Sequence, residues 1–233
     1  MDIKIPYTPR KHQAYLHKKI SENRWNVLVC HRRFGKTVCM INHLIRSALL
    51  SKNKNPRYAY IAPTFKQAKS IAWDYMKQFT AKIPYTKFNE TELRVDLPNG
   101  SRITLLGSEN SDGLRGIYLD GCVIDEYANV NERLFPEIIR PALSDRKGYC
   151  VFIGTPQGMN NNFYELYQHA QGADDWFNYK AKASDTKIVD DEELVKAKEV
   201  MGEKKYQQEF ECDWIANIEG AVYSDVLAKM EDK

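Results

Sequence analysis

The stretch VLVCHRRFGKTVCM, residues 27–40, most constrains what this chain can fold into. The apolar run from Val27 to Val29 predicts a buried strand, and the apolar residues from Val38 onward recur with the spacing of one helix flank. The segment therefore predicts a strand, a tight loop and the start of a helix. In such a setting, loop amides and the positive end of a helix converge on phosphate oxygens.

The end of this loop matches a phosphate-binding motif only in part. Gly35, Lys36 and Thr37 fit the last positions of G-x-x-x-x-G-K-[ST], whereas Cys30 occupies the position of the first glycine. A GK[ST] triplet often arises by chance, so the spacing alone leaves phosphate binding and an ordinary loop equally open. Cys30 implies only that this position needs no positive φ.

Composition indicates a soluble globular protein of 233 residues, with 43% hydrophobic and 28% charged residues. No apolar run approaches the roughly 20 residues that span a bilayer, and the amino terminus lacks the apolar core of a signal peptide, so a cytoplasmic protein is expected. The five cysteines and five histidines show no metal-ligand spacing, which favours buried free thiols. The net charge of +3 is too mild to predict a nucleic-acid partner by itself.

Strand-like and helix-like segments alternate, which predicts a mainly parallel sheet. The predicted strands cover residues 26–30, 57–62, 122–124 and 150–153, with an edge strand at 176–182. The predicted helices cover residues 37–50, 66–80 and 131–143. Alternating residues at 93–97 and 103–106, around the turn Pro98-Asn99-Gly100, predict an antiparallel hairpin inserted into this alternation.

Beyond Ser184 the chain becomes more charged. Asp190 opens a predicted helix, and a second helical run is expected at residues 204–214. We interpret residues 184–233 as a lid or linker region and residues 1–183 as the main domain.

The segment GCVIDEYA, residues 121–128, supplies a second half for a phosphate site. An apolar strand that ends in two adjacent carboxylates can hold Mg²⁺ with Asp125 and polarise an attacking water with Glu126 as general base. Lys36 would then neutralise the β and γ phosphates, while Thr37 would bind Mg²⁺ through its hydroxyl. The alternative is an exposed acidic pair that opens a turn.

Two further polar segments are candidate ligand contacts. FIGTPQG, residues 152–158, ends another predicted strand, where Thr155 or Gln157 could sense the γ phosphate; a plain Gly-Thr-Pro turn is the alternative. Gln13 carries a carboxamide that can pair with the edge of adenine and so select ATP. The ordinary interpretation of Gln13 is a surface residue on an amphipathic helix.

Taken in order, these motifs resemble the large terminase subunit of tailed double-stranded DNA phages. The resemblance rests on Gln13, CHRRFGKT, APTFKQA, LLGSENSDGLRG, VIDEYA, FIGTPQG and QQEFECDWIANIEGAVY. It implies a RecA-like P-loop NTPase fold of the ASCE type, with a C-terminal helical lid, that uses ATP and Mg²⁺. The family's motor drives double-stranded DNA into a prohead, so the expected partners are DNA, the portal protein, the small terminase subunit and other copies in a ring. The expected location is the host cytoplasm at the portal, without a membrane.

The resemblance also suggests arginines that stabilise charge on the γ phosphate. Arg32, in the nucleotide loop, would act within its own subunit, whereas Arg115, in the LGS-x-x-x-x-x-x-RG segment, would reach a neighbouring subunit's nucleotide. Arg33 and Phe34 are counted with the nucleotide-binding loop, although Arg33 has no assigned role and a salt bridge is the alternative.

Two rival interpretations remain open. A DEAD-like helicase is one, because VIDEYA and APTFKQA resemble helicase motifs, although no second RecA-like domain fits this length. A non-enzymatic DNA- or portal-binding module with a decayed ATP site is the other. Family members carry a nuclease after the ATPase, and we expect no nuclease activity from a sequence that ends at Lys233.

Overall fold

The computed structural model describes residues 5–109 and 114–215. Within these ranges eight strands form one sheet. They are β1 (Trp25–Cys30), β2 (Arg57–Ala62), β3 (Lys87–Asn89), β4 (Arg94–Asp96), β5 (Arg102–Gly107), β6 (Gly121–Asp125), β7 (Tyr149–Gly154) and β8 (Trp176–Ala181). The helices of the same ranges are α1 (Lys11–Glu22), α2 (Lys36–Leu50), α3 (Phe65–Ala68), α4 (Asp74–Thr80), α5 (Arg140–Ala142), α6 (Asn162–Gly172), α7 (Ala183–Thr186), α8 (Asp191–Met201) and α9 (Glu203–Glu209).

The strands lie in the order β3-β4-β5-β2-β6-β7-β1-β8. All pairs from β5 to β8 are parallel, and β3 and β4 extend the sheet with antiparallel pairs. The mainly parallel sheet and the edge strand β8 confirm the sequence prediction. The predicted hairpin forms between β4 and β5, but β5 also pairs in parallel with β2, so this arm belongs to the main sheet. The short strand β3 was not predicted, because its exposed residues show no buried apolar pattern.

Helices cover both faces of the sheet, because alternate residues of the central strands point to opposite sides. On β1, Leu28 belongs to one apolar cluster, with residues of α1, α2 and α4. Val27 and Val29 belong to a second apolar cluster, which includes residues of α6 and the buried ring of Trp214. Strands buried on both faces leave only their ends available for polar chemistry.

Two predicted helices are shorter than expected. The helical region predicted at residues 131–143 begins at Leu134, as a π-helical segment (Leu134–Ile139) that continues into α5. Pro141 lies at the start of α5 and cannot donate a backbone hydrogen bond. The run predicted at residues 204–214 ends at Glu209, because Phe210 turns into the third apolar cluster, with Ala183 and Leu194.

Residues 66–80 are helical as predicted, with a π-helical segment (Lys69–Trp73) between α3 and α4. Parts of the LGS-x-x-x-x-x-x-RG segment and of the predicted region 184–233 lie outside the described residues. Among the helices that are described, none is both long and apolar enough to cross a bilayer.

Candidate active site

The candidate site lies where parallel strands end at one edge of the sheet. Strand β7 pairs with β1 on one side and with β6 on the other, so it separates the two strands that carry the motifs. The loop of residues 31–35 follows β1, and Asp125 is the last residue of β6. In open parallel sheets this carboxyl edge is where ligands bind.

The loop between β1 and α2 turns through two residues with left-handed backbone conformations. Gly35 has a φ of 88° and Arg33 a φ of 74°, both in the left-handed region. Phe34 is fully buried and packs on the ring of His31, so only its backbone can reach a phosphate. Lys36 begins α2 directly after Gly35, as the sequence motif requires.

Residues outside the loop hold its first half in place. The His31 amide donates to the Ala181 carbonyl at 3.0 Å, and the Arg32 amide donates to the Glu209 carbonyl at 2.7 Å. The His31 ring contacts the Thr186 hydroxyl at 2.8 Å. The loop conformation therefore depends on the end of β8 and on helix α9.

Gln13 braces the second half of the loop from helix α1. Its Nε2 donates to the Gly35 carbonyl at 3.4 Å, and its Oε1 accepts from the Arg10 amide at 3.0 Å. The Arg10 guanidinium donates to the Phe34 carbonyl at 3.3 Å. Both ends of the Gln13 carboxamide thus have protein partners, and its recognition of adenine stays a prediction.

Lys36 and Glu126 meet across the end of β7. The Lys36 Nζ lies 3.9 Å from Glu126 Oε1 and donates to the Cys30 carbonyl at 3.4 Å. Glu126 adopts a left-handed φ of 47°, and its amide donates to Asp125 Oδ1 at 2.9 Å. This turn directs the two adjacent carboxylates differently, as expected for one metal ligand and one base.

Asp125 is a buried carboxylate with a buried partner. The hydroxyl of Tyr60, on neighbouring strand β2, donates to Asp125 Oδ2, and Thr37 lies beside the same hydroxyl. Burial raises the pKa of Asp125, while the Tyr60 hydrogen bond and the Lys36 charge lower it. Burial likewise raises the pKa of Glu126, against the lowering effect of Lys36. The charge of a divalent cation would therefore stabilise the ionised forms of both carboxylates.

The donor atoms present fit Mg²⁺. Thr37 offers a hydroxyl and Asp125 a carboxylate, which are oxygen ligands, and Mg²⁺ in phosphate sites takes few protein ligands because it keeps several waters. No cluster of three or more His, Cys, Asp or Glu side chains that could form an all-protein cage occurs within residues 5–109 and 114–215. The site suits a cation bound jointly by protein, phosphate and water.

Arg32 and Arg33 border a cleft of about 890 Å³ between the loop and helix α8. Arg32 is largely exposed, and its guanidinium lies 3.6 Å from Glu209 Oε2. Asp190 and Glu193 line the opposite wall of this cleft.

The remaining predicted residues lie on other segments. Arg115 lies just before β6, and its guanidinium is 3.6 Å from Glu137 of the same chain. Thr155 is buried directly after β7, and Gln157 is exposed. The contacts above thus bring together Lys36, Thr37, Asp125 and Glu126, whereas the Arg32 side chain contacts Glu209. The catalytic roles of these residues and of Arg115 stay predictions.

Sequence reasoning missed Tyr60, Arg10 and Glu209. Tyr60 could have been found, because it lies two residues before the end of the strand predicted at residues 57–62, and parallel strands end at the same edge of the sheet. Arg10 is part of the quoted amino-terminal stretch, but its contact with the loop depends on how α1 packs. Glu209 has no local signal, because its contact with Arg32 joins segments far apart in the chain.

The sheet order and the helices on both faces define a RecA-like α/β fold with a mainly parallel central sheet. A family model for the N-terminal region of the large terminase subunit, T4likevirus type, matches residues 29–226. The chain belongs to this terminase family. The large terminase subunits of Thermus phage G20c and Thermus virus P23-45 are each 26% identical to it over 182 residues. That alignment covers 70% of this chain and 36% of each relative.

Solved structures share the fold. The large terminase ATPase domain of Thermus phage P74-26 superposes with a TM-score of 0.75 at 21% identity, covering 91% of this chain and 96% of that one. The large terminase of another thermophilic bacteriophage, in complex with ADP, gives 0.75 at 15% identity, covering 88% of this chain and 53% of that one.

The geometry of Gly35 predicts the effect of a single added methyl group. A Cβ at this position would lie 3.0 Å from Gln13 Nε2, at a φ of 88°. We expect Gly35→Ala to lower the free energy of unfolding by about 1–2 kcal/mol, because of its left-handed backbone, and to weaken ATP binding. Urea unfolding and nucleotide titration measure the two effects.

Gly172→Ala is the matched control, because a Cβ at the end of α6 meets no atom within 4 Å. It should leave ATP binding unchanged. Equal ATP affinity in both variants would show that the Gly35 conformation does not shape the site.

Proposed function

We propose that this chain is the ATP-hydrolysing motor domain of a terminase large subunit, which drives double-stranded DNA into a viral prohead. The observation that most strongly supports this proposal is the 3.9 Å distance between Lys36 Nζ and Glu126 Oε1, at the sheet edge where Asp125 and Thr37 also lie. A phosphate-facing cation, a general base and oxygen ligands for Mg²⁺ are the parts that ATP hydrolysis needs.

In this mechanism the loop amides and Lys36 bind and orient the β and γ phosphates. Mg²⁺ bound by Thr37 and Asp125 would supply charge neutralisation on these phosphate oxygens. Glu126 orients the attacking water and accepts its proton, and its raised pKa is the direction that favours a base. When a triphosphate attracts Lys36, Glu126 loses its ion pair and becomes available to the water.

Nucleotide complexes of a protein with the same fold support this proposal. The large terminase of the thermophilic bacteriophage compared above has been solved in complex with ADP and with ATP-γ-S. Arg32 lies on the same loop as Gly35, and we propose that it meets the γ phosphate within its own subunit. Arg33 and Thr155 are candidate nucleotide contacts.

The wider role follows from family membership. A packaging motor must grip DNA of any sequence, so we propose contacts to the phosphate backbone. The proposed partners are the portal protein, the small terminase subunit and further copies of this chain in a ring, at the portal in the host cytoplasm. Residues 1–183 would form the ATPase core and residues 184–233 the lid and linker region.

Glu126→Gln tests the catalytic assignment. This change keeps the shape of the side chain and removes the base, so we expect ATP turnover to fall by about 10²- to 10⁴-fold while ATP still binds. A phosphate-release assay and an equilibrium nucleotide titration measure the two quantities.

Glu132→Gln is the matched control. Glu132 follows β6 in the chain, as Glu126 does, but it is exposed and lies beyond the Tyr127–Asn129 turn. Its turnover should equal that of the unmodified chain. Near-normal turnover in Glu126→Gln would remove this residue from the mechanism.

Mixing experiments separate Arg32 from Arg115. If Arg115 acts on a neighbouring subunit, Arg115→Ala mixed with Glu126→Gln should recover some ATP turnover, because one interface then pairs an intact arginine with an intact base. Arg32→Ala mixed with Glu126→Gln should recover none, because the Arg32 defect stays with its own nucleotide.

The specific activity of the unmodified chain should also rise with protein concentration if subunits share a site. Recovery with the Arg32 variant but not with the Arg115 variant would reverse the assignment. Turnover independent of concentration, with no recovery in either mixture, would argue against any shared arginine.

A further inference from the structure

A buried carboxylate to which the sequence analysis assigned no role lies beside the candidate site. Glu209 ends helix α9, and its side chain is only 9% exposed. One carboxylate oxygen lies 3.0 Å from Lys205 Nζ, and the other lies 3.6 Å from the Arg32 guanidinium. A buried carboxylate needs such partners, because its desolvation is otherwise costly.

Glu209 is also joined to the loop through the backbone. Its carbonyl accepts the Arg32 amide at 2.7 Å, so helix α9 is attached to Arg32 whatever the side chains do. The next residue, Phe210, accepts the Ala183 amide at 2.8 Å and packs into the apolar cluster with Leu194. The position of the Glu209 carboxylate is therefore fixed by the fold.

Arg32, in contrast, is fixed through its backbone amide, while most of its side chain is exposed. Its side chain is 62% exposed and borders the cleft beside the loop. Its charge also acts on Glu126, as does the charge of Glu209 with the opposite sign. The guanidinium thus contacts a fixed carboxylate on α9 and also acts on Glu126, which the proposed mechanism places next to the γ phosphate.

We propose that Glu209 is a positioning residue that holds Arg32 at the mouth of the site and competes for it with the γ phosphate of a bound triphosphate. This inference rests on the proposed ATPase function and deepens it. When a triphosphate draws Arg32 away, the ion pair between Glu209 and Lys205 remains. Binding of the γ phosphate therefore changes the ion pairing at the end of helix α9. A diphosphate offers no such competitor, and Arg32 stays with Glu209.

Glu209→Gln tests this competition by removing the charge and keeping the shape. We expect the preference for ATP-γ-S over ADP, measured by titration calorimetry with Mg²⁺ at low ionic strength, to increase about two- to five-fold. A residue that served only to support the fold would weaken both ligands and could not raise this preference. In an Arg32→Ala background the same change should have no effect on the preference.

Lys205→Gln should change the preference for ATP-γ-S over ADP in the opposite direction. Lys205 is half-exposed, so its replacement should leave the fold intact. Without Lys205, Arg32 is the one cation within 4.0 Å of the Glu209 carboxylate among the described residues, so we expect the preference for ATP-γ-S to fall about two-fold. Lys204→Gln is the matched control on the same helix, because Lys204 is exposed, and it should leave the preference unchanged.

Each outcome decides the matter. An unchanged or lower preference in Glu209→Gln, or an equal effect of that change with and without Arg32, would overturn the inference. If Glu209→Gln does not fold, an unchanged preference in Lys205→Gln overturns it by itself. Failure of the proposed function is a separate result, since the unmodified chain would then bind neither nucleotide or would release no phosphate from ATP.

Discussion

Strand β7 fixes the distance between the two halves of the site, and the chemistry depends on this spacing. Its register places Gly154 beside Val29 of β1 and Ile153 beside Asp125 of β6. A Cβ at Gly154 would lie 3.5 Å from the Glu126 Cα, so the Glu126 turn rests directly on the end of β7. Lys36 and Glu126 meet because one buried parallel strand, and only one, separates the strands that carry them.

The charges of the site balance within a small space. Asp125, Glu126 and Glu209 are wholly or partly buried carboxylates, and Lys36, Arg32 and Lys205 are the cations that face them. A bound triphosphate with Mg²⁺ would bring both signs of charge, so in the proposed mechanism its binding would rearrange these pairs. Through this rearrangement, ATP binding at the nucleotide loop would change the ion pairs of helix α9.

Much of this arrangement could be predicted from local patterns. The strand–loop–helix at residues 27–40 and the strand that ends at Asp125 have apolar runs that mark buried elements, and their polar ends mark one sheet edge. Strand β3 and the end of α9 could not be predicted, because exposed residues and long-range packing determine them. The Gln13 contact with the loop and the Glu209 contact with Arg32 depend on tertiary packing, which no local spacing encodes.

The most direct measurement is a crystal structure of this chain with ATP-γ-S and Mg²⁺. We expect the γ phosphate in contact with Lys36 Nζ, Mg²⁺ between Thr37 and Asp125, and the Glu126 carboxylate released from Lys36 toward a water. A nucleotide bound away from the loop of residues 31–37, or a Lys36–Glu126 pair unchanged beside the bound triphosphate, would contradict the claim that these residues form one hydrolytic site.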